Sequence, residues 1–227
     1  MITFDNVSLW TPNTHRESPI LLDCTIQIAP RARVGILAPA GSGKSSIARL
    51  FCGIDRPDRG CIQIKGRPSW PIGFAGFLHP ELRVAQNIAT IAELCGFPAK
   101  TALDFIADFV EIPNVLGRKT ENLSPSERAL VAYAISVVIP SDYLIADEVI
   151  TVGNPVIRQK CEAYLETVLR DAGLVFMSRS RRQLRQYCET YFILIDHKLK
   201  PCSDLDAGQD ALDMAANRAK ELELSDV

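Results

Sequence analysis

Long basic stretches, paired cysteine motifs and long apolar runs are all missing from this 227-residue sequence. Lysine and arginine total 25 against 27 acidic residues, which gives a net charge of −2 with no basic block. Binding to nucleic acid through phosphate neutralisation is therefore not expected. The seven cysteines lie far apart, with neither CxxC nor metal-finger spacing. They are interpreted as buried free thiols in a reducing cytosol.

Signals for membrane insertion and secretion are absent as well. The longest apolar stretch, Ala129–Ile139, is bounded by Arg128 and Pro140 and falls short of the about 20 residues that a span requires. It is better explained as a buried helix. Residues Met1–Asp5 have neither a basic start nor an apolar core, so no secretory signal is expected. Any association with a membrane would then go through a partner protein.

What the sequence does contain is an alternation of apolar strands with helices. Hydrophobic residues make up 47% of the chain, enough for one domain with a substantial core. Residues 1–30 mix short apolar runs with turn formers and predict an antiparallel β-subdomain at the N-terminus. Residues 1–79 and 140–200 are assigned to an α/β core with a mainly parallel sheet. Helical periodicity over 80–139 predicts an inserted helical lobe.

Three short apolar runs are predicted to be core strands, at Arg33–Leu37, Tyr143–Asp147 and Leu174–Met177. A helix is expected to begin at Pro155 and to end at Gly173, since proline suits the first turn and glycine the position after the last. From 201 to 227 the chain turns polar and acidic, and a terminal helix is expected near 211–222.

The segment Ala38–Ser45 has the pattern and the setting of a Walker A phosphate-binding loop. It lies between a predicted strand and a predicted helix. In such a loop backbone N–H groups converge on phosphate oxygens, Lys44 reaches the β- and γ-phosphates, and the Ser45 hydroxyl binds Mg²⁺. The alternative is a glycine-containing turn without a ligand. The residues expected to contact nucleotide are Ala38, Pro39, Ala40, Gly41, Ser42, Gly43, Lys44, Ser45 and Ser46.

The first position of this pattern is normally glycine, and here it is Ala38. The methyl group is harmless if the backbone at this position has a negative φ, and is a serious obstacle otherwise.

Two acids, Asp147 and Glu148, end the predicted strand that begins at Tyr143. Ligands of parallel α/β sheets gather at the carboxyl ends of strands. Asp147 is therefore expected to hold Mg²⁺ through water, and Glu148 to act as the general base for the attacking water. Alternatively, the two acids merely end a strand at the surface.

These two motifs, with helices between them, resemble an ABC transporter ATPase, a P-loop NTPase fold. A narrower resemblance lies in Gly53–Gly60, Ser69–Phe77 and Tyr143–Gly153. These segments are similar to the ATP-binding subunit of capsular-polysaccharide exporters of Gram-negative bacteria and of relatives that export O-antigen or teichoic acid. The likeness runs from Met1 to about Ile195.

The resemblance implies the ligands, partners and location of the chain. Two ATP-binding subunits would sandwich two MgATP and drive a membrane-spanning permease from the cytoplasmic side of the inner membrane. The second subunit is expected to be another copy of this chain or a different chain. Trp10 lies where an aromatic ring stacks on adenine in the family, although it could equally be a tryptophan packed under a strand.

Three positions depart from the family pattern. Leu78 stands where the family has the glutamine that senses Mg²⁺, and Arg179 where it has a switch histidine. The signature segment reads Leu123–Arg128, with Ser126 in place of a small residue or glycine. Ser124 and Ser126 are nevertheless expected to face a γ-phosphate across a dimer interface, and Arg179 could clamp a phosphate or be a surface residue.

Alternatively, the signature segment is a well-capped helix without a role in nucleotide binding. Ser124 suits the N-cap, Pro125 the first helical position, and Glu127 completes a Ser-x-x-Glu capping box. Two functions follow from these residues. One is an ATPase that powers polysaccharide export, with slow hydrolysis. The other is a nucleotide-holding regulatory or structural subunit with little or no hydrolysis.

Overall fold

The computed structural model describes residues 1–11 and 18–225, with side chains as far as residue 218. In these ranges the chain forms nine β-strands and seven α-helices. The strands are β1 (Ile2–Trp10), β2 (Pro19–Ile28), β3 (Arg33–Leu37), β4 (Arg59–Ile64), β5 (Pro68–Pro71), β6 (Tyr143–Asp147), β7 (Gly173–Ser178), β8 (Thr190–Ile195) and β9 (Lys198–Cys202). The helices are α1 (Lys44–Phe51), α2 (Val84–Leu94), α3 (Ala99–Val110), α4 (Pro125–Val138), α5 (Pro155–Val168), α6 (Arg181–Tyr187) and α7 (Leu205–Ser225).

The chain divides into two compact units. The first contains Met1–Pro68, Asp142–Glu148 and the chain from Ala172 onward. The second contains Ser69–Ser141 and Val149–Asp171. The sequence had assigned α5 to the core, whereas the structure places it in the second unit.

A parallel sheet organises the first unit, with the order β6-β7-β3-β8-β9. Strands β6, β7, β3 and β8 are parallel, and β9 pairs antiparallel with β8. Four residues of β3 and all six of β7 are buried, as expected for strands that are covered on both faces. The registers pair Leu37 with Ser178 and Asp147 with Met177. The carboxyl ends of β3, β6 and β7 therefore meet at one edge.

A second, antiparallel sheet in the order β2-β1-β4 covers α1 within the same unit. Phe4 of β1 stacks on Phe51 of α1 with ring centroids 4.8 Å apart, and both side chains are fully buried. Aliphatic side chains from both sheets surround this pair and complete one continuous core. The predicted fold class is thus confirmed: an α/β core with a mainly parallel sheet, an antiparallel β-subdomain and a helical lobe.

Aromatic side chains hold α5 against the helices of the second unit. Tyr164 of α5 lies 4.8 Å from the ring of Phe105 and 5.7 Å from that of Phe109, both on α3. The hydroxyl of Tyr133 in α4 donates to the carbonyl of Cys161 at 2.8 Å. Lys160 donates to the Phe109 carbonyl at the end of α3. These contacts explain why α5 belongs to this unit. The sequence assigned it to the core because such contacts cannot be derived from sequence spacing.

The start of α4 is capped as the sequence predicts. The Glu127 amide donates to Ser124 Oγ at 3.2 Å, and the Ser124 amide donates to Glu127 Oε2 at 2.7 Å. Arg118 adds a donor to Glu127 Oε1 at 2.8 Å. Because of the Arg118 guanidinium and the Ser124 donors, the pKa of Glu127 falls to about 2.

Other details correct the sequence expectations. Strands β5 and β9 and helix α6 were not predicted, and α5 ends at Val168, not at Gly173, which is the first residue of β7. No disulfide joins the seven cysteines, all of which lie in the described ranges. Cys24, Cys161 and Cys188 are buried, whereas Cys61 is exposed on β4 and the other three are half-buried, so the expectation of buried thiols is met by three of the seven. Burial raises the pKa of Cys188 to about 12. Over the described part of the chain, no helix combines the length and the hydropathy that a membrane crossing would need.

The capping box generates a prediction about acid stability. We expect Glu127→Gln to lower the free energy of unfolding at neutral pH, because the amide keeps the shape but loses the charge that Arg118 pairs with. The pKa of Glu127 is lower in the folded chain, at about 2, than its ordinary value of 4.5. Its stabilisation is therefore present above about pH 4.5 and is lost as the pH falls towards 2.

Urea unfolding at several pH values between 7 and 3 would measure this effect. The difference between wild type and variant should shrink as the pH falls. A difference that stays constant over this range would contradict the prediction.

Candidate functional site

The loop between β3 and α1 adopts a conformation that its glycines permit. Gly43 is the N-cap of α1 with φ 85°, and Gly41 has φ 74°. Ala38 keeps a negative φ and is buried, and its amide continues the strand pairing by donating to the Ser178 carbonyl at 3.3 Å. The methyl group that replaces a hydrogen at this position is therefore accommodated. Pro39 and Ala40 are exposed, and Ser46 is half-buried on α1.

The amino end of α1 opens onto this loop. The first N–H groups of a helix have no acceptor inside it and carry a partial positive charge, so they suit an anion. Gly43 also lies very close to β2: a Cβ there would stand 2.5 Å from Cγ2 of Ile20. Both the conformation and the space thus require glycine at this position.

Lys44 is folded back across the loop and is almost fully buried. Its ammonium donates to the carbonyl of Pro39 at 2.6 Å and to that of Ala38 at 3.3 Å. It also lies 3.1 Å from Oε1 of Glu148. A buried cation needs such partners, and it could exchange them for phosphate oxygens.

Ser45 and Asp147 form a pair of oxygen donors beside the loop. Ser45 Oγ donates to Asp147 Oδ2 at 2.5 Å. The other carboxylate oxygen, Oδ1, is buried and has no hydrogen-bond partner within the described ranges. A hydroxyl and a carboxylate with one unpartnered buried oxygen are hard oxygen donors of the kind that Mg²⁺ prefers, so these two residues fit that ion.

Glu148 follows Asp147 with a left-handed backbone, φ 59°, an unusual conformation for a residue with a side chain. Its amide donates to the Met177 carbonyl at 2.8 Å, which fixes it to β7. Oε2 accepts from the buried Ser178 hydroxyl at 3.2 Å and from the Arg179 amide at 3.3 Å. Oε1 faces both Lys44 and Nε of Arg179, the latter at 3.4 Å.

Ser178 is a member of the site that the sequence interpretation missed. Besides contacting Glu148, its hydroxyl lies 3.3 Å from Oε1 of Gln183 on α6 and accepts from the Ser180 amide at 3.1 Å. The only sequence signal for this role was its place directly after an apolar strand, beside Arg179.

Trp10 ends β1 opposite Pro19, next to the isoleucine that packs under Gly43. Its amide donates to Asp58 at 2.8 Å, and the Arg59 guanidinium lies 5.3 Å from the centroid of its ring. The ring is half-buried. The structure therefore places Trp10 near the loop, and its stacking on adenine stays a prediction.

The remaining candidates lie in the second unit. Ser124 and Ser126 are exposed at the start of α4, with their hydroxyls 3.1 Å apart. Leu78 follows a short 3-10 helix and is buried, with 6% of its surface exposed. It offers no polar group.

The glycines of the loop allow a matched test of its geometry. Gly41→Ala should cost about 1 kcal/mol, because its φ is positive but a Cβ there meets no atom within 4 Å. Gly43→Ala should cost about 1–3 kcal/mol more, because its Cβ collides with Ile20.

Urea unfolding of both variants checks this prediction. Combined with Ile20→Ala, which removes the colliding atom, Gly43→Ala should lose less than the sum of the two single losses. Equal losses for the two alanine variants would show that the close approach to Ile20 does not matter.

Comparison with known proteins agrees with this geometry. The family model described as ABC transporter matches residues 21–151, more than half of the chain. The polysialic acid transport ATP-binding protein KpsT of Escherichia coli is 29% identical over 71% of this chain and 74% of its own length. The capsule polysaccharide export ATP-binding protein CtrD of Neisseria meningitidis serogroup B is 27% identical over 91% of this chain and 95% of its own.

Among solved structures, the dimeric ATP-binding cassette MJ0796 bound to ADP and Pi has a similar fold. It matches with a TM-score of 0.74 at 18% identity and covers 88% of this chain and 96% of that one. At this level of identity the likeness concerns the fold alone. The family model matches more than half of the chain, and the loop at Ala38–Ser45 lies beside Asp147 and Glu148. The chain therefore belongs to the ABC transporter family and has the fold of its ATP-binding cassettes.

Proposed function

We propose that this chain is the ATP-binding and ATP-hydrolysing subunit of an exporter for capsular or related cell-surface polysaccharide. The proposal rests on one observation: the side chains of Lys44 and Glu148, and of Ser45 and Asp147, contact each other at the carboxyl edge of the parallel sheet. Relatives that match nearly their whole length, CtrD and the ATP-binding protein BexA of Haemophilus influenzae, support it. Of these two relatives, CtrD is the one described as a capsule polysaccharide export protein, and the polysaccharide in the proposal comes from it.

Each residue has a proposed task in hydrolysis. Lys44 and the loop amides bind the β- and γ-phosphates, and Ser45 and Asp147 hold Mg²⁺, which neutralises phosphate charge when bound. Glu148 accepts a proton from the attacking water. Trp10 stacks on the adenine. Because all four residues of the hydrolytic set are present, hydrolysis is favoured over a subunit that merely holds nucleotide.

The proposed partners are a second ATP-binding subunit and a membrane-spanning permease. MJ0796, which has the same fold, is dimeric with bound ADP and Pi. In a dimer of this kind, Ser124 and Ser126 at the amino end of α4 would face the γ-phosphate of the partner's loop. The chain would lie in the cytoplasm, attached to the inner membrane through the permease.

The three departures from the family pattern are proposed to slow hydrolysis. Leu78 is buried and apolar and cannot bind Mg²⁺ or water. Arg179 donates but cannot accept a proton. Pro125 lacks an amide donor, and Ser126 adds bulk near the proposed phosphate. Phosphoryl transfer depends on aligned donors, so missing contacts cost rate more than affinity.

Lys44→Ala tests the nucleotide site. Isothermal titration with MgATP should show binding abolished or strongly weakened, because the charged contact to the phosphates is lost. Lys100→Ala, which removes an exposed lysine that pairs with Asp104 on α3, should bind like wild type. Equal affinity for the Lys44 variant and wild type would rule out the phosphate-binding role of the loop.

Turnover tests the hydrolytic role, and it is measured with the permease present. Wild type should release phosphate at less than about 1 per second, the lower end for ordinary enzymes. Glu148→Gln should keep MgATP affinity and lose this turnover, because an amide cannot take the proton. A Glu148 variant as fast as wild type would exclude Glu148 as the base, and a faster wild type would refute the proposed slowness.

A further inference from the structure

Glu148 is held by two cations at the same oxygen. Nζ of Lys44 lies 3.1 Å and Nε of Arg179 lies 3.4 Å from Oε1. The amide of Arg179 donates to the other oxygen, Oε2, at 3.3 Å. Arg179 thus contacts both oxygens of the carboxylate, once through its backbone and once through its side chain.

The two cations differ in whether nucleotide binding would displace them from Glu148. Lys44 is 9% exposed and belongs to the loop where phosphates are proposed to bind, so nucleotide binding must draw it away from Glu148. The backbone of Arg179 is fixed next to the fully buried Ser178, at the end of β7, while its side chain is 65% exposed and its Nε reaches Glu148. Nothing in the proposed binding step requires it to move.

Removal of Lys44 would leave the Glu148 carboxylate beside an incoming anion. A carboxylate that loses its counter-ion near phosphate raises the free energy of the bound state, since like charges repel. A guanidinium stays protonated at all relevant pH values and can keep the charge compensated. The neighbouring Arg181 and Arg185 are paired with Asp206 instead, so they do not serve Glu148.

From these contacts we propose that Arg179 is a positioning residue: it is the counter-ion that holds Glu148 when Lys44 transfers to the phosphates. The inference rests on the proposed function. It adds a role for Arg179, which stands at the position where the family has a histidine. Arg179 acts through Glu148 and not by touching the nucleotide.

A double-mutant cycle on binding affinity tests this role without relying on hydrolysis. The full chain is titrated with the Mg²⁺ complex of a non-hydrolysable ATP analogue in four forms: wild type, Arg179→Ala, Glu148→Gln and the double variant. Arg179→Ala should weaken binding by about threefold to fivefold, the upper part of the range for partly exposed ion pairs. In the Glu148→Gln background the same change should have an effect below about twofold, because no carboxylate is left to compensate.

Two control variants sharpen the result. Arg179→Lys keeps the charge and should recover at least about half of the lost binding free energy. Arg182→Ala, which removes a different arginine three residues along the chain, should bind like wild type.

The outcomes separate the possible roles of Arg179. An equal loss of affinity in both backgrounds would mean direct contact with phosphate and would overturn the proposal. No loss in either background would make Arg179 a surface residue and would overturn it as well. Unchanged binding in Lys44→Ala would instead refute the nucleotide site itself, so failure of the two proposals can be told apart.

Discussion

Strand β7 is hydrogen-bonded between β6 and β3, and the register of these two pairings decides where every candidate hydrolytic group lies. Ser178 stands beside Leu37, and Met177 beside Asp147. The Ala38 and Glu148 amides then donate to carbonyls of β7 just past the regular pairs. A slip of one residue in either pairing would turn the side chains of the slipped strand to the opposite face of the sheet. The site therefore depends on backbone pairing before it depends on any side-chain contact.

Charge compensation is the second constraint at this edge. Lys44 is buried beside carbonyl oxygens and Glu148, while Asp147 keeps one buried oxygen without a partner in the described chain. Burying ions without partners is costly, and Lys44 takes its partners from the loop carbonyls and from Glu148. Under the proposed function, phosphate binding would exchange these ionic partners for phosphate oxygens. Its free energy depends on which groups remain to compensate the carboxylates.

Local patterns in the sequence were enough to predict the parts of the fold that local physics determines. The loop at Ala38–Ser45, the strand Tyr143–Asp147 and the capping box of α4 all follow from short motifs. The strand and the capping box are present as predicted. The left-handed backbone of Glu148 carries no comparable signal, because it is imposed by pairing with β7. Strand β5 has only four residues, with a proline at each end, and β9 pairs with the neighbouring β8 through a turn at Asp196 and His197 that lacks the glycine typical of such hairpins.

The contacts around Arg179 and α5 illustrate the same limit. The sequence identified Arg179 as a departure from a family pattern but could not show that it meets Glu148, which lies 31 residues away. Similarly, α5 follows the acidic strand in the chain, and its long-range contacts, such as that between the rings of Tyr164 and Phe105, reveal which unit it joins. Long-range packing of this kind cannot be derived from spacing, whereas helix caps and strand runs can.

The division of the chain into interleaved segments has a consequence for how the protein is made. Ser45 and Asp147 are 102 residues apart in sequence, and the short segment Asp142–Glu148 returns to the first unit between two stretches of the second. During synthesis β3 and α1 leave the ribosome long before β6 and β7 exist to pair with them. Contacts of such high sequence separation slow folding, because loop closure must precede any gain from pairing. The nascent first unit therefore exposes the unpaired backbone edges and the apolar side chains of β3 for much of translation, which makes early truncations of this chain candidates for aggregation and for chaperone binding.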